Sequence, residues 1–240
     1  MQSEPSDGGP APTWSLEGVR QGAMAIVPAL PGVALFGAAF GALSAERGLS
    51  LLDAVLMSGI VFAGVSQIAS MELWSPQITP ALVLTIAFTS FVINLRMLLM
   101  SASMRPWLAG APPLQVFPAL YILTDSNWMS TLRYRREGGA DAGFVFGGGF
   151  AIWLTFVPST AVGQVFGKLL SDPRPYGVDM ILPLYFVALL APMFESTRRS
   201  APWAIAGLVA IAVQLVVPGF WYIIAGTIAG AIAGGLLGDE

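Results

Sequence analysis

Cysteine and histidine are both absent from the 240-residue sequence. Their absence excludes disulfide bonds, thiolate chemistry, histidine-ligated metals and a histidine general base, and with them most enzyme mechanisms. Charged residues are also scarce, at 10% of the chain, compared with about 25% in a typical soluble domain. Hydrophobic residues make up 55% of the sequence, and it has no basic patch of the kind that binds nucleic acid. We therefore expect an integral membrane protein that is surrounded by the lipid bilayer and binds no nucleic acid.

Long hydrophobic runs without strand-like alternation predict a helical bundle. At roughly 20 residues for each crossing, the chain has room for about seven or eight membrane segments and no soluble module. The predicted fold class is therefore an all-α, polytopic integral membrane helix bundle with broken helices. Residues 1–20 are polar and rich in proline and glycine, which predicts a cytoplasmic tail without the apolar core of a secretory signal. Residues 21–240 then form a single transmembrane domain, whose first span stays in the mature protein.

Proline and glycine interrupt two of the hydrophobic runs near their middles. The first run, Gly22–Leu43, contains Pro31 and Gly32, and the second run, Asp53–Met71, contains the segment 64–67. Such residues free backbone groups inside the membrane, so we expect either plain kinks or two half-helices that end near the midplane. Half-helix ends suit the opposite charges of a zwitterion. The candidate binding residues from this pattern are Pro31, Gly32, Gly64 and Ser66.

The positive charges give an orientation. Eight crossings from a cytoplasmic N-terminus place the most basic loop on the inside, as the positive-inside rule favours. The predicted inside set is Arg20, Arg133, Arg135, Arg136, Arg198 and Arg199, and the predicted outside set is Arg47, Arg105, Lys168 and Arg174. The last stretch, Ala201–Leu237, divides at Pro218-Gly219 into two short runs. These runs form either two thin spans or a re-entrant hairpin.

Two charged residues stand inside apolar runs. Arg96 lies within the third run, Pro80–Met104, where a guanidinium group costs about 2.5 kcal/mol or more and normally has a partner or a wet cavity. Asp125 belongs to four consecutive polar residues, Thr124–Asn127, within the fourth run, Leu114–Thr131. If the third and fourth spans form an antiparallel hairpin, the two charges lie at similar depths and pair directly. The pair then either fixes the packing of the helices or binds substrate, with Arg96 on a carboxylate and Asp125 on an amine or a proton.

Uncharged polar residues mark the same region. Gln67 in the second run and Asn94 in the third carry amide groups in apolar surroundings. Such amides serve either as interhelical hydrogen bonds or as further substrate contacts. The four polar residues 124–127 cannot all face one neighbour on a helix, so we expect a cavity or unwound backbone around Asp125. Together these residues predict a closed binding site near the middle of several helices.

The candidate residues stand in a set of short motifs. These are the run 57–67 (MSGIVFAGVSQ), Ile93-Asn94-Leu95-Arg96, Ser101-Ala102-Ser103, Leu123-Thr124-Asp125, Gly177-Val178-Asp179 and the segment ending Ala-Leu-Leu-Ala-Pro192. The motifs resemble the AzlC family of branched-chain amino-acid permeases, and the likeness covers nearly everything after the N-terminal tail. The resemblance implies an inner-membrane exporter of hydrophobic amino acids such as valine, leucine, isoleucine or methionine, working with a small AzlD-type membrane subunit. The family's usual acidic residue after Thr-Asp is here Ser126, and its common histidine after Asn-Leu-Arg is here Met97.

The motifs and the placement of charge together predict a secondary transporter and not an enzyme. No nucleotide-binding motif is present, and the glycines at 147–149 lack the lysine of a phosphate-binding loop, so we expect no cofactor. Arg96 is predicted to hold the substrate carboxylate, Asp125 the amine or a proton, and Asn94 and Gln67 further polar groups. The alternatives are a channel or a transporter for another small solute, and an intramembrane enzyme. A channel requires a continuous polar lumen, and an enzyme requires a second carboxylate, such as Asp179, beside Asp125.

Overall fold

The computed structural model describes residues 14–108, 111–169, 197–216 and 221–237, and within these ranges the chain is helical and has no β-strand. The predicted all-α class is confirmed. Three helical stretches are long and apolar enough to cross a membrane, namely Leu16–Glu46, Pro80–Leu108 and Gly143–Gly167. The chain divides into two compact units, Met1–Ile181 and Leu182–Glu240.

The helices are short in several places because the hydrophobic runs are interrupted. In the first unit they are α1 (Leu16–Ile26), α2 (Leu30–Glu46), α3 (Leu51–Leu56), α4 (Gly64–Leu73), α5 (Pro80–Leu108), α6 (Pro113–Tyr121), α7 (Asp125–Arg136) and α8 (Gly143–Leu169). In the second unit they are α9 (Thr197–Val216) and α10 (Trp221–Leu237). A 3-10 turn over Val27–Ala29 joins α1 to α2, and a π-helical turn over Met57–Val61 continues α3.

The first hydrophobic run is kinked but not broken. The 3-10 turn that joins α1 to α2 contains Pro28, which lacks an N–H and tightens the helix locally. Pro31 and Gly32 lie in the first turn of α2, where the backbone is already helical. Of the two arrangements that the sequence left open, the kink is observed here and a half-helix end at Pro31 and Gly32 is not. The physical reason is that proline in a first helical turn removes no hydrogen bond.

The α1–α2 stretch packs along α8 through glycines, and the two run in the same direction. A Cβ atom on Gly22 would collide with the carbonyl group of Phe144, and a Cβ atom on Gly147 would collide with that of Val19. The same reciprocal arrangement recurs further along, with Gly41 against Thr160 and Gly163 against Ala38. Small residues allow this close approach of backbones, which is what holds membrane helices together in the absence of a hydrophobic driving force.

The second hydrophobic run turns back on itself, so our expectation of a single span is wrong. Just before α3, the carbonyl oxygen of Leu49 accepts a hydrogen bond of 2.9 Å from Nε2 of Gln164, near the end of α8. At the end of α4, Oε2 of Glu72 lies 3.5 Å from Nη2 of Arg47, the residue that follows α2. The run therefore enters and leaves at the same end of α2, and neither α3 with its π-helical turn nor α4 is long enough to cross. Residues 51–73 are called the first hairpin below.

The fourth hydrophobic run forms a similar hairpin, residues 113–136, called the second hairpin below. Its helix α7 lies parallel to α5, because Nε1 of Trp128 donates to Oγ of Ser103 at 2.9 Å and Arg135 lies over the Trp107 ring, 5.5 Å from its centroid. The expected antiparallel pair of single spans is therefore wrong. The basic loop after α7 and the end of α5 lie together, so Arg105, which we predicted on the opposite side from Arg135, is at the same end of the molecule.

The described part of the second unit consists of two antiparallel helices. Gly226 of α10 packs against Ala206 and Ala210 of α9, and Gly230 packs against Ala206. Two thin spans and a re-entrant hairpin, which the sequence left open for the last stretch, both contain an antiparallel pair, so the choice between them stays open. The described residues exclude Pro218-Gly219, the motif Gly177-Val178-Asp179, the segment ending at Pro192 and residues 1–13 of the predicted tail. The rest of that tail is partly helical, because α1 begins at Leu16.

Candidate functional site

The first hairpin is broken at its tip. The π-helical turn ends at Phe62, whose φ of 45° and ψ of 45° lie in the left-handed region that non-glycine residues rarely adopt. Ala63 is also non-helical, and α4 begins at Gly64. Glycine is required there because a Cβ atom on Gly64 would collide with the Phe36 ring of α2. Of the two arrangements that the sequence left open, half-helices separated by a break are observed here, although the unwound residues are Phe62 and Ala63 and the segment 64–67 is helical.

Aromatic side chains satisfy the backbone groups that this break leaves open. Nε1 of Trp153 donates a hydrogen bond of 3.0 Å to the carbonyl oxygen of Gly59, and the hydroxyl of Tyr121 donates to the carbonyl oxygen of Ile60. Tyr121 is the last residue of α6, so the tips of the two hairpins meet at this point. Sequence reasoning missed both aromatic residues. Their polar tips inside apolar runs were the available signal, since the tyrosine hydroxyl and the tryptophan N–H usually find a partner in apolar surroundings.

Gln67, Ser66 and Asn94 form one hydrogen-bonded cluster on the other side of the break. Oε1 of Gln67 accepts from the backbone N–H of Ala63 at 3.2 Å, and the Ser66 hydroxyl donates to the carbonyl oxygen of Ala63 at 2.9 Å. Nδ2 of Asn94 in α5 donates to Oγ of Ser66 at 3.0 Å. Gln67 is almost wholly buried, and its Nε2 has no hydrogen-bond partner among the described residues. These bonds tie the tip of the first hairpin to the middle of α5.

Arg96 and Asp125 form the predicted ion pair. Nη1 of Arg96 lies 3.0 Å from Oδ2 of Asp125, the first residue of α7. The side chains are 39% and 44% exposed, respectively, so the pair is open on one side and not enclosed within the chain. Arg96 lies near the middle of α5, at a depth where an open charged pair needs a wet cavity or a covering partner. The backbone is unwound beside Asp125, since Ile122 to Thr124 separate α6 from α7.

The predicted site residues fall into separate groups. Asn94 and Arg96 are two residues apart on a helix, so their side chains leave α5 on nearly opposite sides. Asn94 joins the Ser66 and Gln67 cluster, and Arg96 joins Asp125. Pro31 and Gly32 belong to α2 and are not in either cluster, and their role in binding stays a prediction. In the part of the chain that is described, no group of three acidic residues is placed to hold a metal, and Asp179 lies outside that part.

Asn127 is a further buried polar residue, at the tip of the second hairpin. Its Nδ2 donates to the carbonyl oxygen of Val145 at 2.8 Å, while its Oδ1 has no partner among the described residues. A Cβ atom on Gly148 would collide with that Oδ1. The glycines at 147–149 therefore provide room for close packing of α8 against α1 and α7.

Comparison with known proteins identifies a family. A family model with the description AzlC protein matches residues 28–170, which is more than half of the chain. The matched segment includes both hairpins, α5 and α8. No curated protein and no solved structure matches the chain.

Proposed function

Because the chain belongs to the AzlC family, which is associated with branched-chain amino-acid transport, we propose that it is a secondary transporter that exports valine, leucine, isoleucine or a similar hydrophobic amino acid. The family and the apolar helices make it a membrane protein of a transporter family. The inner membrane is the proposed location, with the N-terminus in the cytoplasm.

The Arg96–Asp125 pair is the observation on which the proposed mechanism depends. Without substrate, the two charges neutralise each other across 3.0 Å. An amino acid is a zwitterion, so its carboxylate can replace Asp125 on Arg96 while its ammonium group pairs with Asp125. One internal ion pair is then exchanged for two pairs with the substrate, and no charge is left unpaired in a medium where that is costly. The open side of the pair provides the access that this exchange requires.

The first hairpin is proposed to position this site. Ser66, Gln67 and Asn94 bond mainly to the broken backbone and to one another, which fixes the tip of the hairpin against α5. Gly64 begins a half-helix whose N-terminus has no side-chain cap. Such an end carries a partial positive charge that favours an anionic group. Movement of the tip would be transmitted through Asn94 to the helix that carries Arg96.

A small AzlD-type membrane subunit is the proposed partner. Only 6% of the most apolar window of α5 is buried within the chain, compared with 39% for α8. Its exposed side chains include Phe91, Leu95 and Leu98, all within five residues of Arg96 in the sequence. A second subunit on this face would shield the charged pair from lipid more completely than the chain does alone.

Counterflow of radiolabelled leucine in liposomes tests the proposed function. The purified chain is reconstituted alone and together with its small subunit, and vesicles loaded with unlabelled leucine are then given the label. A carrier produces transient accumulation of label that unlabelled valine abolishes, and a channel does not. Absence of counterflow in both preparations, with folding verified, would contradict amino-acid transport by this protein.

A further inference from the structure

A cavity of about 200 Å³ lies between α5 and α7, at the end of the molecule where the basic loop is found. Ser103 and Trp107 line it from α5, and Thr131, Arg135 and Arg136 line it from α7. A buried water needs only about 10–15 Å³, so the space accommodates a larger polar group. The proposed transport mechanism makes no use of this cavity.

Two of the lining residues carry buried donors without partners. Thr131 is 1% exposed and Trp107 is 5% exposed. The Thr131 hydroxyl and the Trp107 indole N–H have no hydrogen-bond partner among the described residues. Buried polar groups are nearly always hydrogen-bonded, so two unpartnered donors on residues that line one cavity favour a bound group that supplies an acceptor. The indole nitrogen can only donate, which excludes a donor-only group such as an ammonium ion as its partner.

The charges around the cavity have the sign that an anion requires. The Arg135 guanidinium stacks over the Trp107 ring at 5.5 Å, an arrangement that leaves its N–H groups free at the edges. The adjacent carboxylate, Glu137, pairs with Arg133 at 3.0 Å. Within the described ranges, neither Arg135 nor Arg136 forms an ion pair with a carboxylate. Two guanidinium groups therefore border the cavity without a counter-charge from the chain.

The cavity also lies at the depth of lipid headgroups. Along α7, Arg135 is ten residues from Asp125, or about 15 Å at the rise of an α-helix. That distance is about half of a 30 Å hydrocarbon core, so a pair near the midplane places Arg135 at the interface. The orientation proposed above makes this the cytoplasmic interface, where anionic lipids are enriched.

We propose that this cavity binds the phosphate group of an anionic phospholipid. Arg135 and Arg136 supply the positive charge, and Thr131 and Trp107 donate hydrogen bonds to the phosphate oxygens. An alternative explanation is that the arginines in the last turn of α7 only compensate the helix dipole. It accounts for the positive charges but not for the two buried donors without partners. A free phosphate ion has the same chemistry as the headgroup, and the experiment separates the two sources.

The test measures thermal unfolding of the purified full-length protein in a neutral detergent. Short-chain phosphatidylglycerol, short-chain phosphatidylcholine and inorganic phosphate are titrated separately. We expect phosphatidylglycerol to raise the unfolding temperature with saturation, and the other two to have little effect. An equal response to inorganic phosphate would keep the phosphate site but assign it to the free ion.

Three variants make the test specific. The double variant Arg135→Gln with Arg136→Gln should weaken the response to phosphatidylglycerol about tenfold, since it removes both charge-assisted bonds. Thr131→Val keeps the shape and should weaken the response about threefold, with unchanged or higher stability before lipid is added, because it removes an unpartnered buried hydroxyl. Arg133→Gln removes one positive charge outside the cavity and should respond as wild type.

Two results would overturn the proposal. In the first, Arg133→Gln loses the response as fully as the double variant, which would make the effect one of net charge. In the second, Thr131→Val responds to phosphatidylglycerol as wild type does and is less stable without it, which would show that the hydroxyl has a structural partner within the protein.

Discussion

Asn94 and Arg96 lie two residues apart in α5 and contact different hairpins. Asn94 donates to Ser66 in the first hairpin, and Arg96 pairs with Asp125 in the second, each across 3.0 Å. α5 therefore connects the two broken elements of the molecule at the same depth. The variants below separate bonds that hold this arrangement together from those that bind substrate.

Asn94→Ala should destabilise the protein moderately. The substitution removes the donor to Ser66, which is 2% exposed, so we expect a loss of about 1 kcal/mol in the free energy of unfolding. Denaturant titration in detergent micelles measures it. Thr85→Ala is the matched control on the same helix, because Thr85 is exposed and its hydroxyl bonds to the carbonyl of Ala81 within α5. A loss no greater than that of the control would show that the bond to Ser66 contributes nothing.

At position 62, replacement of phenylalanine by glycine should give a more stable protein than replacement by alanine. Its left-handed backbone costs about 1–2 kcal/mol for a residue with a Cβ atom, while its ring packs edge-on against Phe156 at 6.0 Å. Both Phe62→Ala and Phe62→Gly lose the ring and should be less stable than wild type by about 3 kcal/mol or more. Only glycine also relieves the strained backbone, so Phe62→Gly should be the more stable of the two by about 1 kcal/mol.

Unfolding in micelles distinguishes the two variants of Phe62 directly. Elsewhere in a helix, alanine is favoured over glycine by a similar amount. If Phe62→Ala were more stable than Phe62→Gly, the chain would be helical through Phe62 and the first hairpin would have no broken tip.

Gly147→Ala should prevent correct packing of α8. The new methyl group would collide with the carbonyl group of Val19, which is backbone and cannot move aside as a side chain does. We expect a loss of about 2 kcal/mol or more, seen as low yield of folded protein in size-exclusion chromatography. Gly207→Ala is the control, since a Cβ atom there meets nothing within 4 Å. Equal yields for the two variants would contradict the close packing of α1 on α8.

The sequence predicted some of these features because their causes are local. A charge inside an apolar run needs a partner, so the sequence indicated that Arg96 and Asp125 pair, although the antiparallel hairpin that placed them at similar depths is wrong. The kink in the first run followed from proline in the same way. Both features depend on residues at the position itself.

The hairpins could not be predicted, because their causes are distant in the sequence. The run from Asp53 to Met71 has the length of a single span, and phenylalanine at position 62 gives no indication of a left-handed backbone. The break is held by Trp153 and Tyr121, which cap its carbonyl groups from elsewhere in the chain. Once the runs turn back, the side assigned to Arg105 changes as well.

The proposed substrate site is tested most directly by leucine counterflow with a variant in which Arg96 and Asp125 exchange their charges. Arg96→Ala and Asp125→Asn should each reduce transport at least tenfold and lower the free energy of unfolding by about 2 kcal/mol, a value at the low end for an ion pair because this one is partly exposed. The double variant Arg96→Asp with Asp125→Arg restores an ion pair and should recover most of that stability. It reverses the charges that the substrate meets, so transport should remain as low as in the single variants. Wild-type transport by the exchanged protein would show that the pair only holds the helices together and would contradict the account.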